Sequence, residues 1–251
     1  MLLRIVILLW NTIIGAPMTP TTLVMIPTFN ERNNLPKLVS RIMAMRDIGI
    51  VIVDDNSPDG TGSIAETLAK KYKGRIHVVH RTKRGRGTAG IVGLKKCVEL
   101  GTKYVIEMDA DFSHDPKYIQ TFLKLMDACD VVIGSRFVKG GKDVNRGFMR
   151  KWITMASHTI YSAGLRTNIR DMGSGFKCYK ASVLKSVDLD KFVSKGFSIS
   201  MELNYKIKKK GFKIKEYPIE FVDRESGQSK LKYTDFIESV IVILKLNLMR
   251  K

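Results

Sequence analysis

Two carboxylates one residue apart, Asp109 and Asp111, close an apolar run that begins at Val105. A short apolar run bounded in this way reads as a buried strand, which puts the acidic pair at its C-terminal end. Mg²⁺ and Mn²⁺ prefer oxygen ligands and commonly take one or two carboxylates, leaving the remaining positions to water and phosphate oxygens. The pair therefore suits a divalent cation held against a diphosphate. Acidic pairs also occur in solvated loops, so the spacing alone leaves both readings open.

Other chemistry-bearing residues lie at similar places. Leu23 to Ile26 reads as a strand running into Pro27-Thr-Phe29-Asn-Glu31, and Ile50 to Val53 as one running into Asp54-Asp55-Asn-Ser-Pro58-Asp59-Gly60-Thr61. Acidic residues at neighbouring strand ends can accept hydrogen bonds from a ribose or a base. Asp59-Gly60 is equally an ordinary turn, and Asp54 equally a cap for the next helix. The loop Arg81-Thr-Lys-Arg-Gly85-Arg86-Gly87-Thr88 is either a phosphate cradle at a helix start or a solvated basic turn. Arg136 follows the apolar Val131 to Ile133, and Arg150 opens a later helical pattern; guanidinium forks in such places suit phosphate oxygens. His77, His80 and His158 stand in apolar stretches and read as structural, and His114 as shaping the loop after Asp111.

These residues need elements to hold them. Strand patterns at 23–26, 50–53, 75–80, from 105 and at 131–133 alternate with helical patterns at 33–45, 62–72, 88–100 and 116–127. This order predicts an α/β fold, with a mostly parallel sheet covered by helices on both faces and its functional loops at the strands' C-terminal ends. Beyond Gly134 the rhythm loosens into a loop to Arg146, a helix over 148–164 and a short strand over 174–179. A helix over 202–210, a closing strand over 214–222 and an apolar helix over 235–249 follow.

The 251 residues, 44% of them hydrophobic, can bury one substantial core. A net charge of +19 points to phosphate-rich partners: nucleic acid, an anionic membrane surface or phosphorylated small molecules. Nucleic acid is disfavoured, because only 8% of residues are aromatic and the basic clusters 83–86 and 206–215 hold Phe212 alone for stacking. Cys97, Cys129 and Cys178 suggest neither a disulfide framework nor a thiolate zinc site, and fit a reduced, cytoplasmic setting. The apolar stretch Leu2 to Ile14 is short for a membrane span. It reads as a cleaved signal, an interfacial anchor or, the favoured reading, sequence upstream of a start at Met18. The chain thus divides into an extension over 1–21, a domain over 22–230 and a helix over 231–251 that either packs on the domain or lies in a membrane interface.

Taken together, P-T-F-N-E from Pro27, V-D-D-N-S-P-D-G-T from Val53, G-R-G-T-A from Gly85, M-D-A-D-F-S-H-D-P from Met108, G-S-R-F-V-K-G-G from Gly134, S-G-F-K from Ser174 and F-V-D-R-E-S-G-Q-S-K from Phe221 carry a resemblance. In order and spacing they resemble the family 2 inverting glycosyltransferases and, more narrowly, the dolichyl-phosphate (polyprenol monophosphate) mannosyltransferases. The similarity runs from about Leu23 to Ser239.

The resemblance implies a GT-A fold and transfer of mannose from GDP-mannose to a polyprenyl (dolichyl) phosphate, with inversion. It implies a guanosine site at Pro27, Phe29, Glu31, Val53 and Asp55, and a diphosphate and cation site at Asp109, Ala110 and Asp111. Asp109 and Asp111 would be the ligands of Mg²⁺ or Mn²⁺. Family members often carry Tyr where Phe29 stands and Gln, a third ligand, where Ser113 stands. Arg136 and Arg150 match the acceptor-phosphate arginines, with Thr154 beside them, and Arg224, Ser229 and Lys230 a flexible acceptor lid. Asp111, Arg136 and Arg150 would carry the catalysis. The setting implied is the cytoplasmic face of a membrane, reached peripherally or through a membrane-anchoring subunit, without a full transmembrane helix.

A phosphate monoester, with a second pKa of about 6, is already nucleophilic at neutral pH and needs cations rather than a base. A saccharide acceptor would need a carboxylate base instead. Guanine and uracil are not separated by these motifs, so a UDP-glucose-dependent polyprenyl-phosphate glucosyltransferase stays open as the alternative.

Overall fold

The computed structural model describes residues 19–145, 147–194, 196, 198–222 and 233–248, with the side chains of 148–151, 153 and 233–240 left aside. Residues 1–18 of the extension over 1–21, and the proposed lid residues Arg224, Ser229 and Lys230, lie outside the described residues.

The centre of the fold is set by two strands with almost no polar face. In β1 (Thr22–Thr28) all but Pro27 are buried, and in β2 (Ile48–Asp54) every residue is. Successive side chains of a strand point to opposite faces, so such runs demand cover on both. Leu23, Met25, Val51 and Val53 accordingly enter one core, while Val24, Ile26, Ile50 and Ile52 enter the other.

The covering helices show the matching period. In α1 (Leu35–Met43), with Pro in its first turn, Leu35, Leu38, Val39 and Ile42 form one buried stripe. After it come α2 (Thr61–Lys71), β3 (Ile76–His80), α3 (Arg86–Glu99), β4 (Tyr104–Glu107), a 3₁₀ turn at Pro116–Tyr118 with α4 (Ile119–Leu125), and β5 (Val131–Ser135). Then follow β6 (Lys142–Val144), α5 (Phe148–Gly164), β7 (Lys177–Lys180), α6 (Ala181–Ser186), α7 (Ser198–Lys209), β8 (Ile214–Pro218), β9 (Glu220–Val222) and α8 (Tyr233–Leu248).

Among the described residues the main sheet has the order β3-β2-β1-β4-β7-β5-β8. Its pairings are parallel except those of β7, which runs antiparallel between β4 and β5 with Cys178 opposite both Ile106 and Val132. The start of β7 therefore lies at the same edge as the ends of β4 and β5.

The expected closing strand over 214–222 is two strands. Pro218 ends β8, Ile219 N still donates to Ser135 O (3.1 Å), and β9 then leaves the sheet to pair with β6. Gly141 permits this, since a Cβ there would lie 2.6 Å from the Ser135 carbonyl oxygen. Neither β6 nor α6 was expected; each is too short to show a period.

The tail helix packs and also projects. Val242, Ile243 and Leu246 are buried, and Asn247 Nδ2 donates to Gly164 O (2.9 Å), while Ile241, Leu244 and Leu248 are exposed. Trp152 and Ile160 of α5, which α8 contacts, are exposed too. No helix among the described residues is long and apolar enough to cross a membrane. Cys97, Cys129 and Cys178 are buried free thiols.

Candidate active site

The loops after β1 and β2 are laced together. Asp54 Oδ1 accepts from Thr28 Oγ1 (3.0 Å) and Ser57 Oγ (2.6 Å), so it caps the turn at Ser57. Asp59 Oδ1 in turn accepts from Thr61 N (2.9 Å), and Thr61 Oγ1 accepts from Glu31 N (2.9 Å). Phe29 lies on this platform with the Arg84 guanidinium 3.7 Å from its ring centroid, a cation–π contact.

Asp55 faces the basic loop. Its Oδ1 accepts from Arg81 Nη1 (2.6 Å) and its Oδ2 from Gly85 N (2.7 Å), which hooks the start of α3 onto the end of β2. Pro27 lines a cleft with Arg86, Gly87, Glu107 and Ser200. Val53 and Ala110, by contrast, are almost wholly enclosed in the two cores. Their side chains cannot line a ligand, so only their main chain remains for the assigned roles.

Asp109 and Asp111 follow β4 as expected, but they stand in different surroundings. Asp109 is forked by Arg86, whose Nη2 reaches Oδ1 at 2.5 Å and Oδ2 at 2.7 Å, with Nε 3.2 Å from Oδ1. Asp111 Oδ1 accepts from Ser113 N (3.1 Å) and Ser113 Oγ (2.6 Å). Ser113 thus positions Asp111. The left-handed backbone at Phe112 (φ 62°) makes the tight turn that allows it.

His114 holds the same loop from beneath. Its buried Nδ1 accepts from Asp109 N (3.0 Å), and its ring stacks on Phe176 with centroids 5.1 Å apart. Burial pushes the His114 pKa down against the opposing pull of Asp109 and Asp111, so the ring is neutral and can accept. Burial opposes the charge of Arg86 as well, but Asp109, with Glu107 and Asp111, outweighs it and raises its proton affinity.

A second buried network lies behind Arg86. Glu107 accepts from Tyr179 OH (2.9 Å) and lies 3.5 Å from Lys177 Nζ, which also donates to Ser200 Oγ. Lys177 is fully enclosed, and burial lowers its pKa against the pull of Glu107.

Across β7 stands the cationic half. Arg136 donates through Nε to Asp171 Oδ2 (2.8 Å), through Nη2 to Oδ1 (2.8 Å) and through its backbone N to Oδ2 (3.0 Å). The guanidinium carbon lies 5.0 Å from the Phe137 ring centroid and 5.1 Å from that of Phe221. Glu216 accepts from Asp171 N and Arg170 N, both at 2.9 Å, and His158 Nδ1 is 3.1 Å from Asp171 Oδ1. Burial opposes the charge on Asp171; Arg136 and His158 more than reverse this and hold its carboxyl far below the usual range.

Arg150 is in the first turn of α5 and the buried Thr154 one turn on; the Arg150 side chain is outside the described residues. His158 is buried between Asp171 and Phe137. His80 instead lies at the surface, 2.8 Å from Glu66. Sequence reasoning missed Arg86 as a side chain, and it missed Asp171 and the Glu107-Lys177-Tyr179 network. Their only sequence signals are an arginine inside a basic loop and, for Glu107, Lys177 and Tyr179, polar groups embedded in apolar strands; Asp171 stands in a loop with no signal of its own.

Among the described residues no three His, Cys, Asp or Glu side chains cluster as a metal cage. A pair of carboxylates still fits a hard cation that completes its shell with water and phosphate oxygens. Asp111, steadied by Ser113, would hold such an ion, with Asp109 beside it.

Residues 23–188 match the profile of glycosyl transferase family 2. The chain belongs to this family. Polyprenol monophosphomannose synthase of Mycolicibacterium smegmatis is 39% identical over 228 residues, 90% of this chain and 86% of that protein. Undecaprenyl-phosphate mannosyltransferase of Micrococcus luteus is also 39% identical over 228 residues, 90% of this chain and 93% of that one.

Solved structures share the fold. Glucosyl-3-phosphoglycerate synthase from Mycobacterium tuberculosis, in complex with Mn²⁺, UDP and glucosyl-3-phosphoglycerate, gives a TM-score of 0.60 at 16% identity, covering 92% of this chain and 80% of that one. A fragment of S. aureus TarS gives 0.59 at 19% identity, over 88% of this chain and 64% of that one, so the chain spans just under two thirds of that structure. This family 2 glycosyltransferase is therefore an enzyme of GT-A fold, built on the mostly parallel sheet that its strand and helix pattern implies.

Proposed function

We propose that this glycosyltransferase moves mannose from GDP-mannose to the phosphate of a polyprenol of the dolichyl type, with inversion, at the cytoplasmic face of a membrane. The observation that carries the reading is that the carboxylates after β4 and the arginine after β5 are separated by one strand. Adjacent strands lie about 4.8 Å apart, so the ends of β4 and β5, with β7 between them, are roughly 10 Å apart. That leaves room for one sugar ring between a diphosphate on the Asp109 side and a phosphate on the Arg136 side. The 39% identity to two mannosyltransferases named for polyprenyl acceptors supports the same substrates.

In this reading Phe29, Glu31 and Asp55, with main chain of Pro27 and Val53, surround the nucleoside. Asp109, Asp111 and the main chain of Ala110 face the diphosphate, with Ser113 steadying Asp111. A bound Mg²⁺ or Mn²⁺ would lower the charge on the departing nucleotide. The acceptor phosphate, largely dianionic at neutral pH, attacks the anomeric carbon from the side opposite the diphosphate. The new carbon–oxygen bond forms as the bond to the diphosphate breaks, and no base is needed. Arg136, Arg150, Thr154, Arg224 and Lys230 orient that phosphate. Asp171 contributes by fixing the plane of the Arg136 guanidinium.

The exposed apolar residues of α5 and α8, Trp152, Ile160, Ile241, Leu244 and Leu248, support seating on a membrane surface, where the lipid acceptor is presented. Radiolabel transfer from GDP-mannose, UDP-glucose and UDP-GlcNAc to a short polyprenyl phosphate, with and without Mn²⁺, tests the proposal. Transfer from GDP-mannose alone is expected. Transfer from UDP-glucose alone would overturn the donor, and transfer undiminished by EDTA the cation.

A further inference from the structure

Arg86 occupies a position that the D-x-D motif does not need for itself. Its guanidinium forks Asp109 through Nη2 and Nε, at 2.5 to 3.2 Å, and Gly175 lies beside that contact. A Cβ on Gly175 would come within 2.5 Å of Arg86 Nη2, so the niche for the guanidinium exists because residue 175 has no side chain. The base of the arginine is equally fixed. Gly85 N is hooked by Asp55 Oδ2 at 2.7 Å, and the carbonyl oxygen of Gly85 accepts from Ala89 N at 2.8 Å in the first turn of α3.

A cation that enters beside Asp111 meets this arrangement as an obstacle. Asp109 is held by Arg86, a positive charge within a few ångströms of the incoming ion. A nucleoside diphosphate changes the balance, because guanidinium binds phosphate oxygens in the same bidentate way that it binds a carboxylate.

We propose that Arg86 is a built-in counter-cation of the Asp109 and Asp111 pair: it suppresses metal binding to the free enzyme and is drawn off Asp109 by a nucleoside diphosphate, which couples metal uptake to donor uptake. Such coupling is reciprocal. The factor by which the nucleotide tightens the metal equals the factor by which the metal tightens the nucleotide. This inference rests on the proposed role of the D-x-D residues in holding a cation.

The test is Mn²⁺ binding followed by electron paramagnetic resonance, without nucleotide and with saturating GDP or UDP, on the full chain and its variants. Arg86→Met should bind Mn²⁺ alone about tenfold or more tightly than the parent, and the tightening by nucleotide should shrink by about the same factor, leaving the part that the phosphate oxygens contribute as metal ligands. Arg86→Lys keeps the charge and loses the fork, so it should fall between the two. It also carries the test if thermal unfolding shows that the methionine variant has not folded. Adding Asp111→Asn to either variant should remove the bound Mn²⁺. Equal Mn²⁺ affinity and equal nucleotide coupling in parent and variants, with Asp111 still required, would overturn the role of Arg86 and leave the metal site standing. Absence of any Asp111-dependent Mn²⁺ binding, even with nucleotide, would overturn both.

Discussion

Removing Asp171 offers a strong physical test of the acceptor half of the site. Its carboxylate is fully enclosed and the Arg136 side chain is only 9% exposed, so neither charge has water to fall back on. Taking away one partner of a buried pair costs about 3–5 kcal/mol, because the remaining charge stays buried and unpaired. For a protein of this size each kcal/mol shifts the melting temperature by about 2–4 °C. Asp171→Ala should therefore melt about 6–20 °C below the parent by calorimetry. The pH dependence has a definite sign. A carboxyl held far below its usual range contributes stability that is present above its unfolded pKa, about 3.9, and is lost as pH falls toward the folded value. The gap between parent and variant should hold from pH 8 to pH 5 and narrow below about pH 4. Replacing both partners, with Arg136→Met and Asp171→Leu, should recover much of the stability while transfer stays abolished. A melting shift under about 2 °C for Asp171→Ala, or a gap unchanged down to pH 3, would refute the buried-pair argument.

Three further outcomes are expected. Asp111→Asn should abolish sugar transfer while leaving the melting temperature within about 2 °C of the parent; near-normal turnover would remove Asp111 from the chemistry. Gly175→Ala should cost under about 1 kcal/mol in urea unfolding, since the crowded atom is the far end of a flexible side chain, yet raise Mn²⁺ affinity by displacing Arg86 from Asp109. Unchanged Mn²⁺ binding would show that the guanidinium does not depend on that niche. Leu244→Glu, at a residue 58% exposed, should leave stability alone and reduce co-flotation with anionic vesicles. Undiminished flotation would place membrane contact elsewhere, on another face or on an anchoring subunit.

Much of the fold is legible because β1 and β2 are unbroken apolar runs and α1 repeats its apolar residues at helical spacing. The positions of Asp55 and Asp109 after strands follow from the same patterns. What could not be read are partnerships across the fold. Arg86 meets Asp109, and Arg136 meets Asp171, at separations of 23 and 35 positions, through loops whose course no periodicity encodes. Val53 shows the converse limit: its place in a motif suggested contact with a nucleoside, whereas its side chain is sealed in the core. The break at Pro218 escaped notice because the apolar pattern continues through Ile219 and Phe221 although the hydrogen-bonding partner changes.

The reversed strand β7 separates responsibilities along the chain. Residues before β5 build the half of the site on β1, β2 and β4, while Arg136, Asp171 and the β6 and β9 pair come later and stand on the far side of that strand. Sequence drift among the later residues could change the acceptor without disturbing the lacing of Asp54, Asp55 and Thr61 that shapes the donor half. One antiparallel strand in a parallel sheet thus acts as a partition, across which the two substrate preferences of a transferase can evolve independently.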